Sequence, residues 1–352
     1  MAESPLVART SPVSVWTGRE LVVWSGLPAT SDECVTDAGG GSLCGEPAVF
    51  DGAAYDPSTD RWRMIARGPV PAAGAPTQVI PQGVWTGTEM VVWGGWGDPI
   101  AAAYEPATDT WRDLPPGPLS AREQHAVVAW DGRVVVLGGR EPLGPGELAP
   151  RLDGAVLDPA SGKWTMLPEL PAGDPFMAPG IVAATVADGR LFAVRAVTTD
   201  AYVLDPGSTA WNPLGSAGVN GFLEPVGVAG GQWLFVGSGD EGTTTAAAFD
   251  LVNGTWRQIA APAGVSTLGL MGADAGTRVV AVAARWSHEP DPPLALAWDP
   301  TSDTWSELAT PSLEHRFGAA VGWTGNELLV WGGANTGGLG GPSYADGAAL
   351  GI

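Results

Sequence analysis

The chain is short of positive charge. Its 352 residues hold 17 Lys and Arg against 38 Asp and Glu, a formal charge of −21, and Lys163 is the one lysine. Nucleic acids and anionic membrane surfaces are recognised by clustered Lys and Arg, so this balance excludes polyanions as partners. The preference for Arg over Lys fits the Ala-, Gly- and Pro-rich composition of high-GC coding and needs no functional account. Long apolar runs are missing as well. Windows such as 181–186 fall far short of the roughly 20 residues that cross a bilayer, so no membrane span is expected. Met1 to Ser4 open directly into repeat-like sequence with no signal-peptide pattern, which suits a cytosolic chain or a mature secreted one.

Cysteine is nearly absent. Cys34 and Cys44 flank a Gly-rich stretch, 35–43, that interrupts an otherwise regular spacing. A disulfide stapling a long surface loop is the first reading, worth roughly 3 kcal/mol in the chain-entropy model. It would imply an oxidising compartment, extracellular or in the cell envelope. Two free thiols and a cytoplasmic location are the alternative. Two Cys with no His nearby are too few ligands for a metal, so neither metal nor cofactor is predicted.

What the chain has in quantity is turn formers and tryptophan: 51 Gly, 32 Pro and 17 Trp, with 45% hydrophobic residues. That mixture points to short strands joined by tight loops. One landmark recurs six times, an apolar or aromatic residue, usually Asp-Pro, a polar turn and then Trp. It runs from Tyr55 to Trp62, Tyr104 to Trp111, Leu157 to Trp164, Leu204 to Trp211, Phe249 to Trp256 and Trp298 to Trp305. A second landmark, a turn followed by an apolar strand that usually ends in two small residues, recurs seven times. Its clearest copies are 16–26, 85–95 and 323–333, with weaker ones at 130–139, 188–196, 230–238 and 274–284. Continuous apolar runs such as 134–137 suit strands buried on both faces. Each unit therefore predicts a four-stranded antiparallel sheet, and sheets repeated at this period stack radially into an all-β propeller.

With these motifs in place, the sequence resembles the kelch repeat family over essentially its whole length. The resemblance rests on the Gly pair after the second strand, the aromatic before Asp-Pro in the third and the Trp opening the fourth. It implies six or seven blades, and seven hairpins favour seven, as a single domain over 1–352. The repeats are expected at about 9–66, 78–117, 122–170, 179–216, 221–262, 267–310 and 316–352. Blades 4 to 6 depart most, with Arg195-Ala196, Gly237-Ser238 and Ala283-Ala284 in place of the Gly pair. The seventh blade lacks an Asp-Pro turn and a closing Trp, so it has three strands or is completed by residues outside this sequence.

Aligning the repeats on the small pair exposes a register in which Arg9, Gln78, Arg122 and Arg316 each lie 16 residues ahead, with Pro179, Gly221 and Thr267 in blades 4 to 6. The resemblance suggests that such residues line the channel mouth, where convergent guanidiniums would bind an anion or sugar carboxylate. The competing reading is that they bond turn carbonyls or acidic loops within the scaffold. Glu123 and His125 beside Arg122, and Glu314 and His315 beside Arg316, form the one set capable of acid/base work; His125 has a second reading as an inter-blade packing residue. Trp96 and Trp286 follow strand ends and are candidate ligand-stacking rings. Copper-oxidase chemistry of the galactose oxidase type is not expected, because none of the four Tyr adjoins a His. The leading expectation is a secreted or cell-envelope, non-catalytic module binding a protein or glycan. The alternatives are a sugar mutarotase or epimerase using the rim, and a propeller portion of a larger protein.

Overall fold

The computed structural model describes residues 1–352 except 29–33, 37–41, 45–47, 71–80, 96–98, 145–146, 174–179, 220, 239–242, 266–269, 284–292, 310–312, 315, 336–342 and 352. For 34–36, 42–44 and 144 it describes the backbone alone. Seven antiparallel sheets make a seven-bladed β-propeller, with four strands in each of blades 1 to 6 and three in blade 7. Blade 1 runs Val13–Trp16, Leu21–Trp24, Gly52–Asp56 and Arg61–Met64 from the inner strand outward. Among the described residues, blade 7 has Ala320–Trp323, Glu327–Trp331 and Gly347–Gly351. Inner strands are neighbours from blade 1 to blade 4 and from blade 5 to blade 7, and the ring closes where Val13–Trp16 meets Ala320–Trp323; between blades 4 and 5 the Leu223 amide donates to the Ala196 carbonyl at 2.9 Å.

The apolar second strands explain the stacking. Successive side chains of a strand face opposite ways, so each second strand feeds two cores. Val22 and Trp24 pack with Met90 and Val92 of blade 2. Leu21 and Val23 pack with Ala320, Leu329 and Trp331 of blade 7. All four residues Leu21 to Trp24 have no exposed surface, as do Val134 to Leu137.

Fourth-strand tryptophans of blades 2, 3, 4 and 6 clamp the blade to the one before it. Trp111 of blade 2 lies 5.0 Å from Trp24 of blade 1 and donates its indole N–H to the Ala66 carbonyl at 2.9 Å. Trp164 donates to Pro115 at 2.8 Å, Trp211 to Pro168 at 2.8 Å and Trp305 to Ala260 at 2.9 Å. Each acceptor lies just beyond the outer strand of the preceding blade. The Asp of the Asp-Pro landmark does what its chemistry suggests: Asp56 Oδ1 accepts from the Ser58 amide at 2.9 Å and Asp299 Oδ1 from the Thr301 amide at 2.8 Å.

Candidate functional site: a loop face held by buried arginines

The two ends of the propeller differ. One carries only the short turns between first and second strands and between third and fourth, for example 17–20, 57–60 and 131–132. The other carries the connections between second and third strands, among them those rooted at Ser25 and Asp51, at Gly138 and Asp153, and at Gly332 and Asp346, together with the crossings between blades. Two extra hairpins rise on this loop face, Cys34–Thr36 with Ser42–Cys44 and Arg140–Gly144 with Glu147–Pro150. Insertions of this kind on a rigid scaffold are where binding residues concentrate.

Three arginines of the aligned register stand at the roots of the longest loops. Arg9, Arg122 and Arg316 are each at most 1% exposed. In all three, Nε donates to the carbonyl two residues back: Val7 at 3.1 Å, Ser120 at 3.0 Å and Glu314 at 3.1 Å. Nη1 donates to the first residue of the small pair: Ser25 at 3.1 Å, Gly138 at 3.2 Å and Gly332 at 3.0 Å. An Asp at the far end of the same loop completes each site, with Nη1 to Oδ1 distances of 2.8 Å to Asp51, 2.7 Å to Asp153 and 3.0 Å to Asp346. Each guanidinium therefore ties the start of an inner strand to both ends of its blade's long loop. Arg316 also lies 4.4 Å from the Tyr344 ring centroid, and Arg9 Nη2 has no hydrogen-bond partner among the described residues.

The Gly pair serves the same device. A Cβ on Gly139 would come within 2.8 Å of the Glu123 carbonyl oxygen and 3.2 Å of Arg122 Cδ, and one on Gly333 within 3.0 Å of Arg316 Cβ. In blades 3 and 7 the second Gly leaves room for the Arg side chain. Blade 2 keeps its Gly pair with Gln78 in the Arg position, and there a Cβ on Gly94 would instead meet the His125 ring at 2.7 Å. Blade 4 has its own solution, with the buried Arg195 donating to the Pro171 carbonyl.

The remaining predicted residues are spread over different surroundings. Glu123 pairs with Arg140 at 3.2 Å, and Glu314 accepts from the Tyr344 hydroxyl at 2.7 Å. His125 is buried between blades 2 and 3, its Nε2 3.2 Å from the Trp93 carbonyl and its ring edge-on to Trp93 at 5.0 Å. Burial pushes this imidazole down to about 4, so it is neutral at pH 7. Gln78, Trp96, Trp286 and His315 lie outside the described residues, as do the side chains of Cys34 and Cys44; the backbone register sets these two cysteines directly opposite each other.

Sequence reasoning missed two carboxyls on inner strands. Glu224 in Phe222–Ala229 is raised by desolvation alone, and Asp274 in Met271–Ala275 is raised by desolvation while accepting the Val228 amide of blade 5 at 2.6 Å. It also missed Asp51, Asp153 and Asp346, although each precedes the Gly that opens a third strand, a repeated Asp-Gly in the three blades with the Arg. Among the described residues, no group of three or more His, Cys, Asp or Glu side chains is placed to hold a metal, and no helix is long and apolar enough to cross a membrane. No protein-family model matches the chain, and no curated protein matches it.

Proposed function

We propose that this protein is a kelch-type propeller of the cell exterior or envelope that binds a protein or glycan through its loop face. The observation that carries the reading is the asymmetry of the two ends: tight turns on one, and on the other long loops whose roots are pinned by the buried Arg–Asp pairs. A binding surface made of loops gains affinity when its roots are rigid, because less ordering entropy is lost on association. The kelch assignment rests on the motif order in the sequence. The exported location rests on Cys34 and Cys44, which sit opposite each other on paired antiparallel strands. Opposite Cα atoms in such a pair lie about 4.5–5.5 Å apart, inside the range that a disulfide spans.

The mutarotase alternative finds less support, because the guanidiniums of Arg122 and Arg316 are engaged by Asp153 and Asp346. The test is to screen the intact protein against a glycan array and, separately, against exported proteins captured by affinity, then to map each hit by hydrogen exchange. Protection in 138–153 and 332–346 is the expected outcome, and the array against the capture separates glycan from protein. Protection confined to the turns 17–20, 57–60 and 131–132 overturns the reading. Intact mass with and without reductant checks location: two free thiols in the native protein remove the case for export.

A further inference from the structure

The junction between blades 4 and 5 departs from the plan of the rest of the ring. At the other six junctions the two inner strands pack side by side; here Val182–Ala187 and Phe222–Ala229 do not. The sequence explains the gap. In each second strand, the residue third before the closing pair faces the next blade and the residue second before it faces the previous one. These two places meet as Val22 with Val92, Val91 with Val136, and Leu234 with Ala281. Between blades 4 and 5 they are Phe192 and Phe235, both buried. Interiors are close-packed, so two rings in place of two aliphatic side chains keep the blades further apart.

The polar ties are also missing at this junction. The indoles of Trp111, Trp164, Trp211 and Trp305 bond Ala66, Pro115, Pro168 and Ala260, and each acceptor lies four residues beyond the fourth-strand Trp of the preceding blade. The same count from Trp211 gives Gly215 as the acceptor for Trp256. Gly215 has φ of +82°, and its strand shifts register against Ala201–Leu204. The Trp256 indole N–H is left buried, with no acceptor among the described residues.

Two contacts remain. The Leu223 amide bonds the Ala196 carbonyl at 2.9 Å at the loop-face end, and Gln258 Nε2 lies 3.4 Å from the Ala217 and Gly218 carbonyls near the outer strands. Among the described residues no ion pair crosses from blade 4 to blade 5, whereas Arg257 joins blade 5 to Asp303 and the Pro300 carbonyl of blade 6. Ring packing does most of the holding: Trp256 lies 5.2 Å from Phe235 and 4.9 Å from Phe249, which is 6.1 Å from Phe192. Apolar packing has no preferred direction and tolerates small rotations, whereas a hydrogen bond weakens steeply with angle.

We propose that the ring is jointed between blades 4 and 5. The aromatic cluster is the pivot, and the inner edges of the two blades part there while the other six junctions stay closed. The Leu223–Ala196 bond breaks first, which widens the central channel at its loop-face mouth. The joint lies away from the loop roots pinned by Arg9, Arg122 and Arg316, and its test uses no ligand, so it stands or falls apart from the loop-face reading.

Native-state hydrogen exchange of the intact protein, read residue by residue, tests the joint without any substitution. Leu223, Gly139 and Ser11 each donate a main-chain N–H across a junction, to Ala196, Gly180 and Gly318. The protection factor of Leu223 should be at least about tenfold below those of Gly139 and Ser11, because only its junction opens locally. Protection of Leu223 within about tenfold of either one overturns the proposal. A matched pair of variants checks the missing indole bond. Trp256→Phe and Trp305→Phe both trim a ring, so their difference reports the bond to Ala260 that Trp305 alone makes. In denaturant melts Trp305→Phe should raise the unfolding constant about fivefold more than Trp256→Phe, the scale of one hydrogen bond. Equal losses would mean that Trp256 is tied like the other indoles, and would overturn the joint as well.

Discussion

Arg122 and Asp153 meet at 2.7 Å across the base of loop 138–153, with the Arg side chain wholly buried and the Asp a quarter exposed. The same guanidinium bonds the Ser120 and Gly138 carbonyls, so one side chain ties together three points of the chain. Arg122→Ala leaves a buried carboxylate edge and two carbonyls without their donor. Its expected cost is about 3–5 kcal/mol in denaturant unfolding, with Asp153→Ala costing about 1–3 kcal/mol. The double variant should lose clearly less than the sum of the two. Additive losses would show that the pair does not act as a unit.

Gly139 has φ of +101°, and a Cβ there would press on the Glu123 carbonyl. Gly139→Ala is expected to destabilise by about 2 kcal/mol or more, since it combines backbone strain with a steric clash against main chain. Gly132, with φ of +73° and open space around it, gives the control. Gly132→Ala should cost about 1 kcal/mol, so a Gly139 variant no worse than the Gly132 one would remove the packing argument.

His125 titrates near 4 in the folded protein, below the value near 6.5 of an exposed imidazole. Between those values the unfolded chain binds the proton and the native one does not. Stability therefore falls as pH drops from about 6.5 to about 4 and levels off below that, a loss of roughly 3 kcal/mol from this residue. Unfolding curves from pH 4 to 7 should show a shallower slope for His125→Asn than for the parent. An unchanged slope would place the dependence elsewhere.

Glu224 is shifted in the opposite sense, because burial without a counter-charge disfavours its carboxylate. The native state holds this proton more tightly than the unfolded one, so the residue costs stability at neutral pH and stops costing it as pH falls through its folded value. Glu224→Gln should raise the melting temperature at pH 7.5, with the gain shrinking under acid. A lower melting temperature at pH 7.5 would mean that the carboxylate has a favourable partner.

Much of the fold was legible because its determinants are local. Asp56 makes its own turn and Trp111 sits at a fixed distance beyond Tyr104, so each blade announces itself in order. The arginine register was legible as a pattern, whereas its chemistry was not. Its acceptors are mostly backbone carbonyls, which no residue type marks, and its carboxylate partners lie beyond loops of unequal length, from Arg9 to Asp51 but only from Arg316 to Asp346. The shared absence of Arg and Gly pair from blades 4 to 6 was the available clue. The environment of Glu224 was invisible for a different reason: its strand packs against Met271–Ala275 and Arg278–Ala283, which lie far from it in sequence.

The overlap of Trp111 on Trp24, and of the fourth strands of blades 2 to 6 on the blade before, makes the ring directional, like tiles laid one way around a tower. At the four junctions covered by Trp111, Trp164, Trp211 and Trp305, the indole bonds chain continuous with the outer strand of the blade before. Where blade 7 meets blade 1, Trp62 leans on Met1 and Ala2, which are held by a single indole bond and one amide bond to Asp60. A pull applied between the two ends of this sequence therefore loads that seam first, and the propeller should open there by peeling rather than by shearing a blade apart.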